Sequence, residues 1–234
     1  MLHGGYFLMC RFGPFAGVSS NPTLQLVQEI QEYIGQNALP DCSSIVSSQE
    51  FPVSATDMPG TLAKVVEDCG VVPGNTTRVF LHFGIASSID RIHLERTAVN
   101  DASFGCPDNS GNQFHLQPVS PTEPLDARRH TALPLEAIAA ALASDGHPVA
   151  VSDDAGRFLC NYTLYHSLAR CHPLPHTDGP PSSAAPLPAC REETALFIHV
   201  PPHAIVSSAQ LLQFASALMA EVGRRVSQAG GLAA

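Results

Sequence analysis

The chain has 234 residues, 44% of them hydrophobic and 14% charged, a balance that excludes global disorder and supplies ample material for a core. No apolar run approaches the roughly 20 residues of a membrane-spanning helix. Acidic residues outnumber basic ones by 21 to 12, and Lys64 is the sole lysine, so no basic patch exists to meet nucleic-acid phosphates or an anionic membrane surface.

The first apolar run, Tyr6 to Cys10, reads as a buried strand feeding a turn-rich loop, Phe12-Gly-Pro-Phe-Ala-Gly17. Asn21 is placed as an N-cap with Pro22 at the first helical position. Leu24, Val27, Ile30 and Ile34 then form one face of a helix. Leu62, Val65, Val66 and Cys69 mark a second helix, with Gly70 where a C′ glycine belongs. Arg78 to Gly84 is a second strand with a polar loop after it, and Asn100 to Asp126 reads as loop with a hairpin in it. Leu133 to Ser144 is a helix stopped by Asp-Gly, and Pro148 to Ser152 a third strand. Helical periodicity returns over Cys160 to Arg170. Ala195 to Val200 is a fourth strand stopped by two prolines, and a last helix covers about Ala209 to Val226. Strands alternating with helices predict an α/β fold in one domain, 1–234, its sheet mostly parallel and helices on both faces. The Pro- and Ser-rich stretch 171–193 reads as an exposed insertion. The cysteines at 10, 42, 69, 106, 160, 171 and 190 are an odd count without regular spacing. With no secretory segment after Met1, they predict free thiols in the cytosol.

In open α/β sheets, sites form beyond the carboxyl ends of strands. Cys160 follows a strand and a glycine turn and opens a helix, where unpaired N–H groups and the macrodipole favour a thiolate and can receive an oxyanion. Its competing reading is a buried structural cysteine. His199 lies near the end of an apolar strand and suits the base such a nucleophile needs, against the common case of a satisfied core histidine. Glu95 could orient the imidazole, against the ordinary case of a solvated glutamate. Cys171, His172, His176 and Cys190 lack the tight ligand pairs of a zinc site, and no glycine-rich nucleotide motif is present.

Four blocks together resemble the pyroglutamyl peptidase type I family of cysteine peptidases. They are Phe12-Gly-Pro-Phe-Ala-Gly17 with Asn21-Pro22, Leu94-Glu-Arg-Thr-Ala-Val-Asn100, Asp154-Ala-Gly-Arg-Phe-Leu-Cys160-Asn161 with Tyr165 following, and Phe197-Ile-His-Val-Pro201. The resemblance implies a three-layer α/β/α sandwich, no cofactor, a cytosolic monomer or homo-oligomer, and pyroglutamyl peptides as substrates. It implies Cys160 as nucleophile, His199 as base and Glu95 as third member, with Phe12, Phe15, Ile85 and Leu159 binding substrate. Arg11, Ile85 and Gly105 depart from the bacterial pattern, Gly105 standing where bacterial members carry an arginine shortly before Pro107-Asp108-Asn109. The departures at Arg11 and Gly105 motivate one alternative, a non-catalytic relative that binds pyroglutamyl N-termini. A cysteine amidase acting on another small lactam or amide is the other.

Overall fold

Alternation along the first strand sorts the core into two layers. Phe7 and Met9 face one side of the sheet, whereas Leu8, Cys10 and Phe12 face the other. The computed structural model describes residues 4–14, 22–37, 44–70, 76–171 and 193–231. Its elements in chain order are β1 (Gly4–Phe12), α1 (Pro22–Asn37), β2 (Ser44–Phe51), α2 (Met58–Asp68), β3 (Thr76–Ile85), β4 (Ile92–Glu95), β5 (Thr97–Val99), β6 (Arg128–His130), α3 (Leu135–Ser144), β7 (Val149–Ser152), α4 (Leu159–Cys171), β8 (Glu193–Val200) and α5 (Ser208–Gly231).

Six strands form the main sheet in the order β2-β1-β3-β8-β4-β7. Every neighbouring pair is parallel except β4 with β8. Helices α1, α3 and α5 bury their apolar faces on the Phe7 side, with Val27, Ile30, Ile138 and Phe214 in that layer. Helices α2 and α4 cover the other side through Leu62, Val65, Leu164 and Leu168. The result is the α/β/α arrangement with a mostly parallel sheet. Among the described residues no helix is long and apolar enough to cross a membrane.

Four strands escape the periodicity of the sequence. The strand β2 is the edge of the sheet and half polar, Ser-Ile-Val-Ser-Ser-Gln-Glu-Phe, so it carries no clean alternation. The four residues of β4 and three each of β5 and β6 are too short for a period to emerge. The long stretch after Asn100 packs Phe104 and Val119 into the core and is held further by polar side chains. The Asn100 amide donates to the carbonyls of Ser120, Glu123 and Pro124 and accepts from the Ser120 N–H. Buried Tyr165 and Arg129 both pair with the Glu123 carboxylate. The insertion predicted at 171–193 is narrower at both ends, because Cys171 closes α4 and Glu193 opens β8. Its remainder, 172–192, lies outside the described residues. Arg78 and Arg170 both pair with Glu193, tying the ends of α4 and β8 to β3.

Candidate active site

The reversed direction of β4 is what assembles the site. In the antiparallel register with β8, His93 lies opposite His199 and Glu95 opposite Phe197, so Glu95 reaches diagonally along one face of the sheet to His199. His199 Nδ1 and Glu95 Oε1 are 2.8 Å apart. Both side chains are buried, Glu95 to 1% exposure. His93 Nδ1 stands 4.0 Å from the same carboxylate oxygen.

With Nδ1 engaged by Glu95, the remaining ring nitrogen of His199 serves Cys160, with which the imidazole shares a hydrogen bond. Burial by itself would lower the His199 pKa. The negative charge and hydrogen bond of Cys160, followed by the hydrogen bond and charge of Glu95, outweigh it and push the value up to about 10. At neutral pH the ring is therefore an imidazolium, placed between the Cys160 sulfur and the Glu95 carboxyl group. A second histidine on this face of the sheet, His82, behaves oppositely. Fully buried among Phe51, Phe80 and Phe197, it is pushed down to about 3 by desolvation and stays neutral, its Nε2 2.8 Å from Ser167 Oγ.

Cys160 is the second residue of α4. The first bond to continue into that helix runs from the Tyr162 N–H to the Phe158 carbonyl, so the amides of residues 159–161 have no acceptor within the helix. The start of α4 is fixed by Asn161, whose fully buried amide accepts from Val99 N–H and donates to Val99 O and Asp101 O. One side chain thus locks the helix bearing Cys160 to the strand that follows Glu95. Leaving those peptide groups of Val99 unpaired would cost about 1–3 kcal/mol each.

Opposite the thiol lies Gly84, the β3 residue paired with His199. A Cβ at Gly84 would stand 3.4 Å from Cys160 Sγ and 2.8 Å from Phe197 Cζ. The Phe197 ring cannot swing away freely. It stacks on Phe12 at 6.0 Å, meets His199 at 4.8 Å and His82 at 6.2 Å. Gly84→Ala is therefore expected to displace either the ring or the sulfur. Turnover should drop about 10²-fold, the scale of a 1 Å misplacement, while overpacking costs about 1–3 kcal/mol of stability. Steady-state kinetics with a melting curve of the purified variant checks this, and wild-type kcat would show that the glycine is not needed for the geometry.

The predicted substrate-binding residues divide. Phe12 is buried on the site face against Phe197 and Phe51. Phe15 lies outside the described residues. Ile85 follows Gly84 at opposite strand parity and pairs with Val200, whose side chain belongs to the α1/α5 layer, so a contribution from Ile85 falls to its main chain. The Leu159 side chain is buried in the α2/α4 layer, which leaves its amide facing the helix start. Arg11 has the parity of Met9, away from Phe12, and pairs with Glu50 at 2.7 Å. Gly105 is exposed with open space around it. Cys171 ends α4, whereas His172, His176 and Cys190 lie outside the described residues. Phe197 and Gly84 were not singled out in the sequence. The available signal was parity, since Phe197 stands two residues before His199 and shares its face.

The family model for pyroglutamyl peptidase matches residues 6–181. The pyrrolidone-carboxylate peptidase of Clavibacter michiganensis subsp. michiganensis is 30% identical over 172 residues, 74% of each chain. That of Vibrio vulnificus is 34% identical over 158 residues, 68% of each. The crystal structure of pyroglutamyl peptidase I from Bacillus amyloliquefaciens shares the fold with a TM-score of 0.73, at 23% identity, covering 96% of this chain and 98% of that one. By the extent of the family match and these relatives, the chain belongs to the pyroglutamyl peptidase family.

Proposed function

We propose that this chain is a cysteine peptidase that removes pyroglutamate from the N-terminus of peptides, with Cys160 as nucleophile, His199 as acid and base, and Glu95 as the group that orients the imidazole. The observation that carries this reading is the buried 2.8 Å contact of His199 with Glu95 in a ring that also hydrogen-bonds Cys160. A buried histidine held between a thiol and a carboxylate is the arrangement that a cysteine nucleophile and its base require.

The thiolate of Cys160 attacks the carbonyl that joins pyroglutamate to the next residue. The resulting oxyanion is received by the amides at the start of α4, where the helix dipole adds to the hydrogen bonds. The His199 imidazolium then gives its proton to the departing amine, leaving a thioester on Cys160. Now neutral, His199 draws a proton from water as the water attacks the thioester, and free pyroglutamate leaves with the thiolate–imidazolium pair restored. Throughout, the Glu95 carboxylate accepts the Nδ1 hydrogen and fixes the tautomer that presents Nε2 to sulfur. A pyroglutamyl ring carries no charge, so an apolar floor of Phe12 and Phe197 with main-chain polar groups around it is chemically suited. We read 1–234 as a single domain. Cys10, Cys69, Cys106 and Cys160 are free thiols, which suits a reducing compartment, the cytosol.

The test is release of a fluorophore from a pyroglutamyl amide, with the corresponding prolyl amide as control. The lactam carbonyl is the chief difference between them, so the pyroglutamyl substrate should be cleaved with a kcat/KM at least about 10²-fold higher, the scale of buried hydrogen-bond discrimination. Equal rates would point to a general amidase, and no turnover of either would remove the peptidase assignment.

A further inference from the structure

The geometry points to Asn109 as a positioning residue for the substrate loop, acting through the carbonyl of Pro14 rather than by touching substrate. The assignment rests on the function proposed above and deepens it. It starts from the turn Pro107-Asp108-Asn109, which lies far along the chain from that loop. The Asp108 carboxylate is buried and accepts hydrogen bonds from the N–H groups of Ala55, Ser110 and Asn112 at 2.8–2.9 Å, and from the Asn112 side chain. Burial would raise its pKa, but the bonds from Ala55, Asn112 and Ser110 hold the carboxyl below the usual range. The turn is therefore a rigid block fastened to the segment after β2. Asn109 adds a further tie through its own N–H, 2.8 Å from the Val53 carbonyl.

From this anchored backbone the Asn109 side chain reaches across and donates from Nδ2 to Pro14 O at 2.9 Å. Pro14 stands two residues after Phe12, where the chain leaves β1. Gly13 is tied from the other side, its N–H 3.2 Å from the Phe51 carbonyl. Glu50, held by Arg11, fills the space where a Cβ on Gly13 would stand, with Oε1 2.7 Å from that point. The first residues of the loop are thus clamped between β2 and the Asp108 block, and the Asn109 amide is the side-chain donor in that clamp. The polar residue is exposed, as is Pro14. Its bond is thus of little use to the core, and its consequence is the placement of Gly13 and Pro14 where the chain leaves β1 after Phe12.

The experiment compares Asn109→Ala and Asn109→Asp with the wild-type full-length protein on a pyroglutamyl amide. Both variants keep the backbone bond to Val53, so the fold should hold, with melting temperatures close to wild type. Asp keeps the shape of the side chain but has no donor and sets a carboxylate against the Pro14 carbonyl. KM should rise about three- to tenfold in Ala and at least as much in Asp, the effect of losing one hydrogen bond, with kcat within about twofold. Hydrogen exchange at the Gly13 amide should quicken in both, a readout independent of substrate. An unchanged KM overturns the assignment. So does a matched loss of kcat and melting temperature, which would mark a structural residue. A wild-type protein silent on the pyroglutamyl amide overturns the proposed function instead, so the two failures are distinct.

Discussion

Replacing Cys160 by alanine is expected to reduce turnover of a pyroglutamyl amide by at least about 10⁴-fold while the protein stays folded. The loss follows from chemistry, because without the sulfur no thioester can form and what remains is binding and an oxyanion site acting on water. Stability should change little. Cys160 is only partly buried at the start of α4, and Asn161, which anchors that helix start, is untouched. The imidazole of His199 should also change, since the charge of Cys160 is the largest influence raising its pKa to about 10. In the alanine variant it should titrate lower by NMR. Because a raised histidine pKa stabilises the folded state below the unfolded pKa of about 6.5 and loses that contribution as pH climbs through the folded value, the variant should lose its share of stability at a lower pH than the wild type. Cys171→Ser serves as the control, for Cys171 lies at the far end of the same helix. If that variant were as inactive as Cys160→Ala, the nucleophile would be misassigned.

The second large effect is expected at Glu95. Glu95→Gln keeps the volume but removes the charge, and kcat should fall about 10²- to 10⁴-fold. The upper end is the loss seen when the orienting carboxylate of a serine triad is neutralised. The lower end applies because a thiolate–imidazolium pair is ionised before attack and asks less of its third member. Glutamine can also turn its NH2 toward Nδ1, so that two donors meet and the ring loses the tautomer that serves Cys160. KM should change far less than kcat, since Glu95 reaches the reaction only through His199. Alkylation of Cys160 by iodoacetamide near neutral pH should slow along with turnover. A glutamate that served only the fold would give the opposite pattern, a lowered melting temperature with near-normal kcat in the folded fraction. The environment makes this test severe. Glu95 Oε2 is buried without a hydrogen-bond partner, so neutralising the carboxylate relieves a desolvated charge and need not destabilise the protein.

Much of the architecture is legible in the chain itself. The apolar runs at Tyr6–Cys10, Arg78–Gly84 and Ala195–Val200 became β1, β3 and β8, the centre of the sheet, because continuous burial on both faces demands uninterrupted hydrophobic residues. Cys160 could be placed at a helix start after a glycine turn, and the helix α4 begins one residue earlier. What could not be read was β4. Four residues carry no period, and their direction is a property of the whole sheet, set when Ile92–Glu95 inserts between β8 and β7. That insertion turns an ordinary-looking glutamate into a buried partner of His199 from 104 residues away. The family match ends at residue 181 and does not reach His199, so it is the parallel pairing of β8 with β3 that brings the histidine beside Gly84 and the thiol. The carbonyl contact of Asn109 is of the same kind. Residue types and local spacing determined which groups could do chemistry, since nucleophilicity, basicity and helix-start geometry are local. Which of them meet was decided by strand order and register, because contacts between distant segments exist only once the sheet has closed around them.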